Sequence, residues 1–215
     1  YCIIPYARGK CCSKPLETVV SEVKTLLSRG YQEIVLTGIH TGNYGVDINT
    51  NFATLLRNLV KLDGLKRLRI SSIEVTELTD EVLEIIRENE NIVNHFHIPL
   101  QAGSDKILKL MNRKYDLSYF EDKINKLRSI RKDVSITTDI IVGFPLEEES
   151  DFIDAKDPYT AENFLAIVDV LFRYIDEDCN YEYAIVDLNN PENIKWKDAL
   201  IDKTTGNSTA KIEIN

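Results

Sequence analysis

Residues 33–45, EIVLTGIHTGNYG, decide how the rest of the chain is read. The stretch opens on a short apolar run and breaks at Gly38 into a loop of Gly, Thr, His and Asn. That is the form of a buried strand whose end turns towards a polar ligand. Upstream, Leu16, Val19, Val20, Val23, Leu26 and Leu27 recur at helical spacing, with Pro15 and Glu17 at the start and Gly30 at the close. A helix followed by a strand is thus the unit to look for downstream.

The unit repeats. A helix is expected near 51–61 on Phe52, Leu55, Leu56 and Leu59, a strand at 67–73 (RLRISSI), and a helix at 79–89 with Thr79 as N-cap. A strand at 95–100 (HFHIPL), helices near 105–111 and 118–130, and a strand at 134–144 (VSITTDIIVGF) follow. Strands beginning near 33, 67, 95 and 134, each with a helix after it, imply right-handed βαβ units in a parallel sheet or an incomplete barrel. After Asp154 the rhythm changes. The segment 157–175 reads as a helix with Phe164, Val168, Leu171, Phe172 and Ile175 on one face, YEYAIVDL (181–188) as a strand, and KTTGNSTAK (203–211) as a loop.

Composition bounds the function. The 215 residues carry a net charge of −9 and are 43% apolar, enough for a packed core. Residues 1–155 hold 20 basic and 23 acidic residues, and 156–215 hold 6 and 12, so nucleic-acid binding is not announced by charge. No apolar run approaches the roughly 20 residues that span a bilayer, and the opening decapeptide lacks the features of a signal peptide. The chain reads as cytosolic, with no membrane partner. Cys2, Cys11, Cys12 and Cys179 fit neither a secreted disulfide framework nor a paired C-x-x-C zinc site.

In parallel α/β folds the working residues sit where strands end. Here those ends are TGIHTGNYG, SSIEVTE (71–77), PLQAGSD (99–105) and VGFPLEEE (142–149), rich in groups that approach or hydrogen-bond a polar ligand. Gly38, Gly42 and Gly143 are either turn glycines or places where a ligand approaches the backbone. Glu74 is a solvated or a binding carboxylate, and Asp139 a binding group or one that satisfies nearby backbone. His40, His95 and His97 alternate with apolar residues near strand ends, without a metal-binding helix pair, and read as hydrogen-bonded structural histidines.

Five ordered blocks, YCIIPYARGK (1–10), EIVLTGIHTGNYG, SSIEVTE, HIPLQAGSDKILKLMNRKY (97–115) and TTDIIVGFP (137–145), resemble the central domain of radical S-adenosylmethionine methylthiotransferases. The closest match is the branch that modifies threonylcarbamoyladenosine beside the tRNA anticodon. The resemblance covers about residues 1–154 and implies a partial parallel (β/α) radical SAM barrel, truncated at its N-terminus, with an unassigned acidic α+β tail over 155–215. It implies a [4Fe–4S] cluster held by a C-x-x-x-C-x-x-C loop whose final aromatic and cysteine are Tyr1 and Cys2. The loop's other two cysteines fall before Tyr1, so the chain as given is expected not to hold the cluster or to act alone. Cys11 and Cys12 are either recruited ligands or ordinary loop cysteines.

For S-adenosylmethionine, the resemblance assigns Tyr1 to the adenine and Gly38 with Ile39 to the methionyl amine. Ser72 and Glu74 fall to the methionine or ribose, with Gln101, Ser104, Asp139 and Gly143 at the later strand ends. Arg8 and Lys10 are candidates for a substrate phosphate or carboxylate. Arg113 and Lys114, with Lys106 and Lys109, form the clearest basic cluster, read either as a solvated helix end or as tRNA backbone contact. The implied reaction replaces the hydrogen on C2 of N6-threonylcarbamoyladenosine at tRNA position 37 with a methylthio group. Two other readings stand beside it: a non-catalytic half-barrel that binds or scaffolds, and a different radical SAM enzyme.

Overall fold

The computed structural model describes residues 12–38, 40–148 and 150–151, and in the tail five strands at 170–174, 181–185, 195–199, 201–202 and 207–208. The chain divides into two compact units, Tyr1–Ile98 with Asp122–Val134, and Pro99–Glu121 with Ser135–Asn215.

In the first unit α1 spans Leu16–Ser28 and ends where the sequence places its stop: Gly30, at φ +91°, donates its N–H to Leu27 O at 2.9 Å. A left-handed residue just past a helix is the ordinary glycine cap. Strand β1 (Glu33–Leu36) pairs in parallel with β2 (Arg67–Ile70), from Glu33 opposite Arg67 to Leu36 opposite Ile70. Beyond β2 the backbone bonds continue to the next segment, with Leu68 N to Asn91 O at 2.7 Å and Val93 N to Leu68 O at 2.9 Å. Ile73 N then bonds to His97 O at 3.1 Å, at the end of β3 (His95–His97). Three parallel segments therefore lie side by side with their carboxyl ends together.

Two helices cover this sheet's connections. Helix α2 (Phe52–Leu59) starts at Asn51, whose side chain accepts from Thr54 N at 2.7 Å, and α3 (Asp80–Glu88) at Thr79, whose hydroxyl accepts from Val82 N at 3.2 Å. Side-chain acceptors there satisfy amides that have no partner within the helix. Each helix packs an apolar stripe inward, and Leu56, Leu59, Leu68, Ile86 and Ile98 are fully buried.

In the second unit α4 (Asp105–Leu110) follows the loop after Leu100, and α5 (Leu117–Ile130) begins here and ends in the first unit. Strand β4 is Ser135–Thr137, shorter than the expected 134–144. Pairing resumes as one parallel bridge between Gln101 and Ile140, with Gln101 N to Asp139 O and Ile141 N to Gln101 O, both 2.8 Å. Tyr115 is buried, donates its hydroxyl to Leu100 O at 2.9 Å, and sets its ring 6.2 Å from that of Phe120.

The tail corrects two expectations. Residues 170–174, read as part of a helix, are strand β5 (Val170–Tyr174), parallel to β4 through Thr137 and Val170 and antiparallel to β6 (Tyr181–Ile185). A short apolar run such as VLFRY suits either period, and the neighbouring YEYAI supplies the pairing that decides it. Strand β6 was read as a strand, and β7 (Lys195–Ala199) pairs antiparallel to it. Residues 207–208, read as loop, form β9 (Asn207–Ser208), paired with β8 (Ile201–Asp202). The rest of the helix expected over 157–175 lies outside the described residues. Among those described, no helix is long and apolar enough to cross a membrane.

Candidate functional site

The carboxyl ends of β1 and β2 carry the first cluster of polar groups. Ser71 N bonds to Leu36 O at 3.1 Å, so the loops that follow, 37–50 and 71–77, leave the sheet side by side. Each contains a 3-10 turn, Thr41–Asn43 and Val75–Glu77, and one carboxylate ties them together. Glu77 Oε2 accepts from Gly42 N at 3.1 Å and from Glu74 N at 3.0 Å. His40 Nδ1 lies 3.7 Å from Glu77 Oε1 and 3.9 Å from Glu74 Oε2. Burial pushes the Glu77 carboxyl above its ordinary range, and the two backbone N–H groups oppose that rise.

The same loop holds the segment that precedes α1. Ser13 N donates to Asp47 Oδ2 at 2.8 Å, Gly45 N donates to the buried Ser13 Oγ at 2.9 Å, and the Tyr44 hydroxyl donates to Lys14 O at 2.8 Å. Hydrogen bonds from Ser13 hold the Asp47 carboxyl below its ordinary range. Ser13 and Lys14 are thereby fixed to the loop that follows β1.

The expected site residues divide accordingly. Tyr1, Cys2, Arg8, Lys10 and Ile39 lie outside the described residues. Gly38, Ser72 and Glu74 stand on the two joined loops, Gly38 exposed and the others half-buried. The glycines differ in what requires them. At Gly42 a side chain would overlap Glu77, and at Gly143 the backbone is left-handed (φ +81°), so the chain's own geometry accounts for both. At Gly38 a Cβ would meet nothing nearer than Thr41 Oγ1 at 3.4 Å, an ordinary contact. Its missing side chain leaves open backbone at a strand end, the form a polar ligand uses.

In the second unit Gln101 adopts φ +77° with both backbone groups paired across to 139 and 141, and Asp139 is exposed. Ser104 is buried and donates to Asp151 Oδ1 at 3.1 Å, and Lys106 bonds to Asp151 Oδ2 at 2.7 Å. Glu148 N also reaches Asp151 Oδ2, at 3.0 Å. The basic cluster is reduced by this pairing: Lys106 is neutralised and Arg113 is half-buried, while Lys109 and Lys114 are exposed.

Lys106 first, and then the N–H of Glu148, hold the Asp151 carboxyl below its ordinary value of 3.8. A carboxyl lowered in the folded state contributes stability that is complete above its unfolded value and disappears as pH falls through the folded one. Asp151→Asn is therefore expected to lower the urea midpoint by a constant amount above about pH 5. That difference should vanish in acid, as pH-dependent unfolding followed by circular dichroism will show.

Glu77, His40 and Ser13 are the groups that sequence reading left out of the site. The only advance signal for Glu77 was its place in SSIEVTE; its partner Gly42 lies 35 residues away.

Parallel strands whose polar loops gather at one end define the class of fold, and comparison with known proteins identifies it. The family model described as the radical SAM superfamily matches residues 1–157, and the chain belongs to that superfamily. Coproporphyrinogen III oxidase (HemN) from Escherichia coli, described as a radical SAM enzyme, shares the fold with a TM-score of 0.51 at 16% identity. That match covers 74% of this chain and 36% of the other. Within the superfamily the chain is similar to tRNA methylthiotransferases. Threonylcarbamoyladenosine tRNA methylthiotransferase MtaB of Bacillus subtilis (strain 168) is 49% identical over 156 residues, 72% of this chain and 35% of the relative. The tRNA-2-methylthio-N(6)-dimethylallyladenosine synthase of Thermodesulfovibrio yellowstonii is 44% identical over 152 residues, 71% of this chain and 35% of the relative. The chain spans about a third of the length of the curated relatives it matches.

The superfamily implies an iron–sulfur cluster and S-adenosylmethionine. Among the described residues the one cysteine is Cys12, exposed and free, so these residues alone do not make a thiolate cluster site. The open backbone at Gly38, beside Ser72 and Glu74, does suit a small polar cofactor.

Proposed function

We propose that this chain is the cofactor-binding part of a tRNA methylthiotransferase that modifies C2 of N6-threonylcarbamoyladenosine at position 37. The observation that carries the reading is the 49% identity to a threonylcarbamoyladenosine enzyme over nearly the whole radical SAM segment, against 44% for the dimethylallyladenosine relative. In this reading Gly38, Ile39, Ser72 and Glu74, with Tyr1, hold S-adenosylmethionine at the joined strand ends. Gln101 and Asp139 keep the cofactor role that the resemblance gives them. Ser104 and Gly143 already have structural roles within the second unit. Cys2 belongs to the cluster loop, and the cluster, when bound, supplies the electron that cleaves the cofactor's sulfonium. Arg8, Lys10, Arg113 and Lys114 are the candidate contacts to tRNA.

The chain's own contribution is positional. Ser13 and Lys14 are bonded to the loop after β1, the loop on which Gly38 lies open.

Residues 1–154 exchanged for the matching third of the Bacillus subtilis relative, in cells lacking that relative, test this directly. The expected result is 2-methylthio-N6-threonylcarbamoyladenosine in digested tRNA, seen by mass spectrometry, and its loss in a Cys2→Ala chimera. A soluble chimera that methylthiolates dimethylallyladenosine instead assigns the chain to the other branch. One that leaves both nucleosides untouched overturns the proposal.

A further inference from the structure

The Glu77 carboxylate presents a problem that the methylthiotransferase reading does not use. Its side chain is 6% exposed, yet only Oε2 is satisfied, by Gly42 N and Glu74 N. Oε1 is buried without a hydrogen-bond partner. A buried acceptor left unpaired costs about 1–3 kcal/mol, and more when it is charged. Something cationic or protic is missing beside it.

The surroundings of Oε1 specify what fits. An imidazole faces it, with His40 Nδ1 at 3.7 Å, and the same nitrogen lies 3.9 Å from Glu74 Oε2. One ligand atom from each of these three residues lies within 4.8 Å of the others, the one such group of three among the described residues. Around a first-row cation with ligands at about 2.0–2.2 Å, ligand atoms stand about 3.3–3.5 Å apart. The two distances from His40 Nδ1 close to that by a few tenths of an ångström, and the two carboxylates, whose ligand atoms lie within 4.8 Å, close by side-chain rotation at the half-buried Glu74. Glu77 does not need to move, because two backbone N–H groups already fix its other oxygen. A proton on Glu77 would satisfy Oε1 alone, whereas a cation there would also take His40 and Glu74 as ligands.

We propose that His40, Glu74 and Glu77 form a binding site for a single divalent transition-metal cation, separate from the iron–sulfur cluster. One imidazole and two carboxylates, with no thiolate, suit manganese, iron(II), cobalt or zinc rather than a soft ion. The exposed side of His40 leaves room for water to complete the coordination. Bound there, the ion ties the loop after β1 to the loop after β2. Glu74 is the one residue that this site shares with the proposed cofactor site; cation binding is measured without the cofactor, so a failed chimera leaves the proposal intact.

The test is manganese binding to the full chain after chelator treatment, followed by electron paramagnetic resonance. Manganese is chosen because it prefers oxygen and nitrogen ligands, so the cysteines do not compete. One saturable manganese per chain is expected, with a nitrogen hyperfine coupling from His40. Losing a direct ligand should cost at least the roughly tenfold typical of outer-shell changes, so His40→Ala and Glu77→Gln should both weaken binding by more than about tenfold. His40 is exposed, so His40→Ala decides the matter even if Glu77→Gln fails to fold. The absence of a saturable site, binding without nitrogen coupling, or unchanged affinity in His40→Ala would each overturn the proposal.

Discussion

Gly45→Ala is expected to be the most damaging glycine-to-alanine change among the described residues, lowering stability by about 3 kcal/mol or more. Gly45 sits at φ +92°, and a Cβ built on it would lie 2.5 Å from the backbone carbonyl carbon of Thr50 and 2.6 Å from its oxygen. The strain has two sources. A side chain at this φ costs about 1–3 kcal/mol. Backbone, unlike the end of a flexible side chain, does not move aside cheaply. Here it is also pinned, because Gly45 O accepts from Ile48 N at 3.1 Å and from Thr50 N at 3.0 Å. If the turn opens, Gly45 N leaves Ser13 Oγ and the segment before α1 loses its hold on the β1 loop. Urea unfolding of the variant should show the loss, and proteolysis should cut near residues 12–14 first. A variant as stable as the parent would mean that the loop is not built as described.

The contrast between this loop and the tail shows what a sequence discloses. Helix α3 and its Thr79 cap were legible because the apolar spacing and the capping residue lie within one short window. The β1–β2–β3 arrangement was legible for a related reason: buried parallel strands are short apolar runs between helical periods. Residues 170–174 were misread because their helical spacing includes Ile175, while their partner strand begins only at Tyr181. Pairing across a connection is not written in either segment alone. The site shows the same division. Its strand-end glycines stood out, but the reason for each did not. Gly38 is open, Gly42 is dictated by Glu77, and Gly143 by its own backbone angle. Glu77 itself looks like one more solvated carboxylate in an acidic chain, and only the approach of a loop 35 residues away buries it.

Gly42→Ala separates packing from ligand chemistry at this clasp. The added methyl would overlap Glu77 Cβ and lie 2.7 Å from its Cδ, so Glu77 must leave its place. Leaving breaks both bonds from Gly42 N and Glu74 N and strands two part-buried donors, for a combined cost of about 2–3 kcal/mol. Thermal unfolding reads the cost directly, and a second substitution shows where it originates. Because the first overlap is with Cβ, Glu77→Ala should give little relief, whereas Glu77→Gly should remove most of the penalty of Gly42→Ala. Equal penalties in the parent and Glu77→Gly backgrounds would show that the two residues do not touch. The same variant bears on the cation site, since a displaced Glu77 takes Oε1 away from His40 and Glu74. Gly42→Ala should therefore lose manganese binding as His40→Ala does, but with a stability loss that His40→Ala lacks. The two variants together distinguish a glycine that shapes the site from a histidine that binds in it.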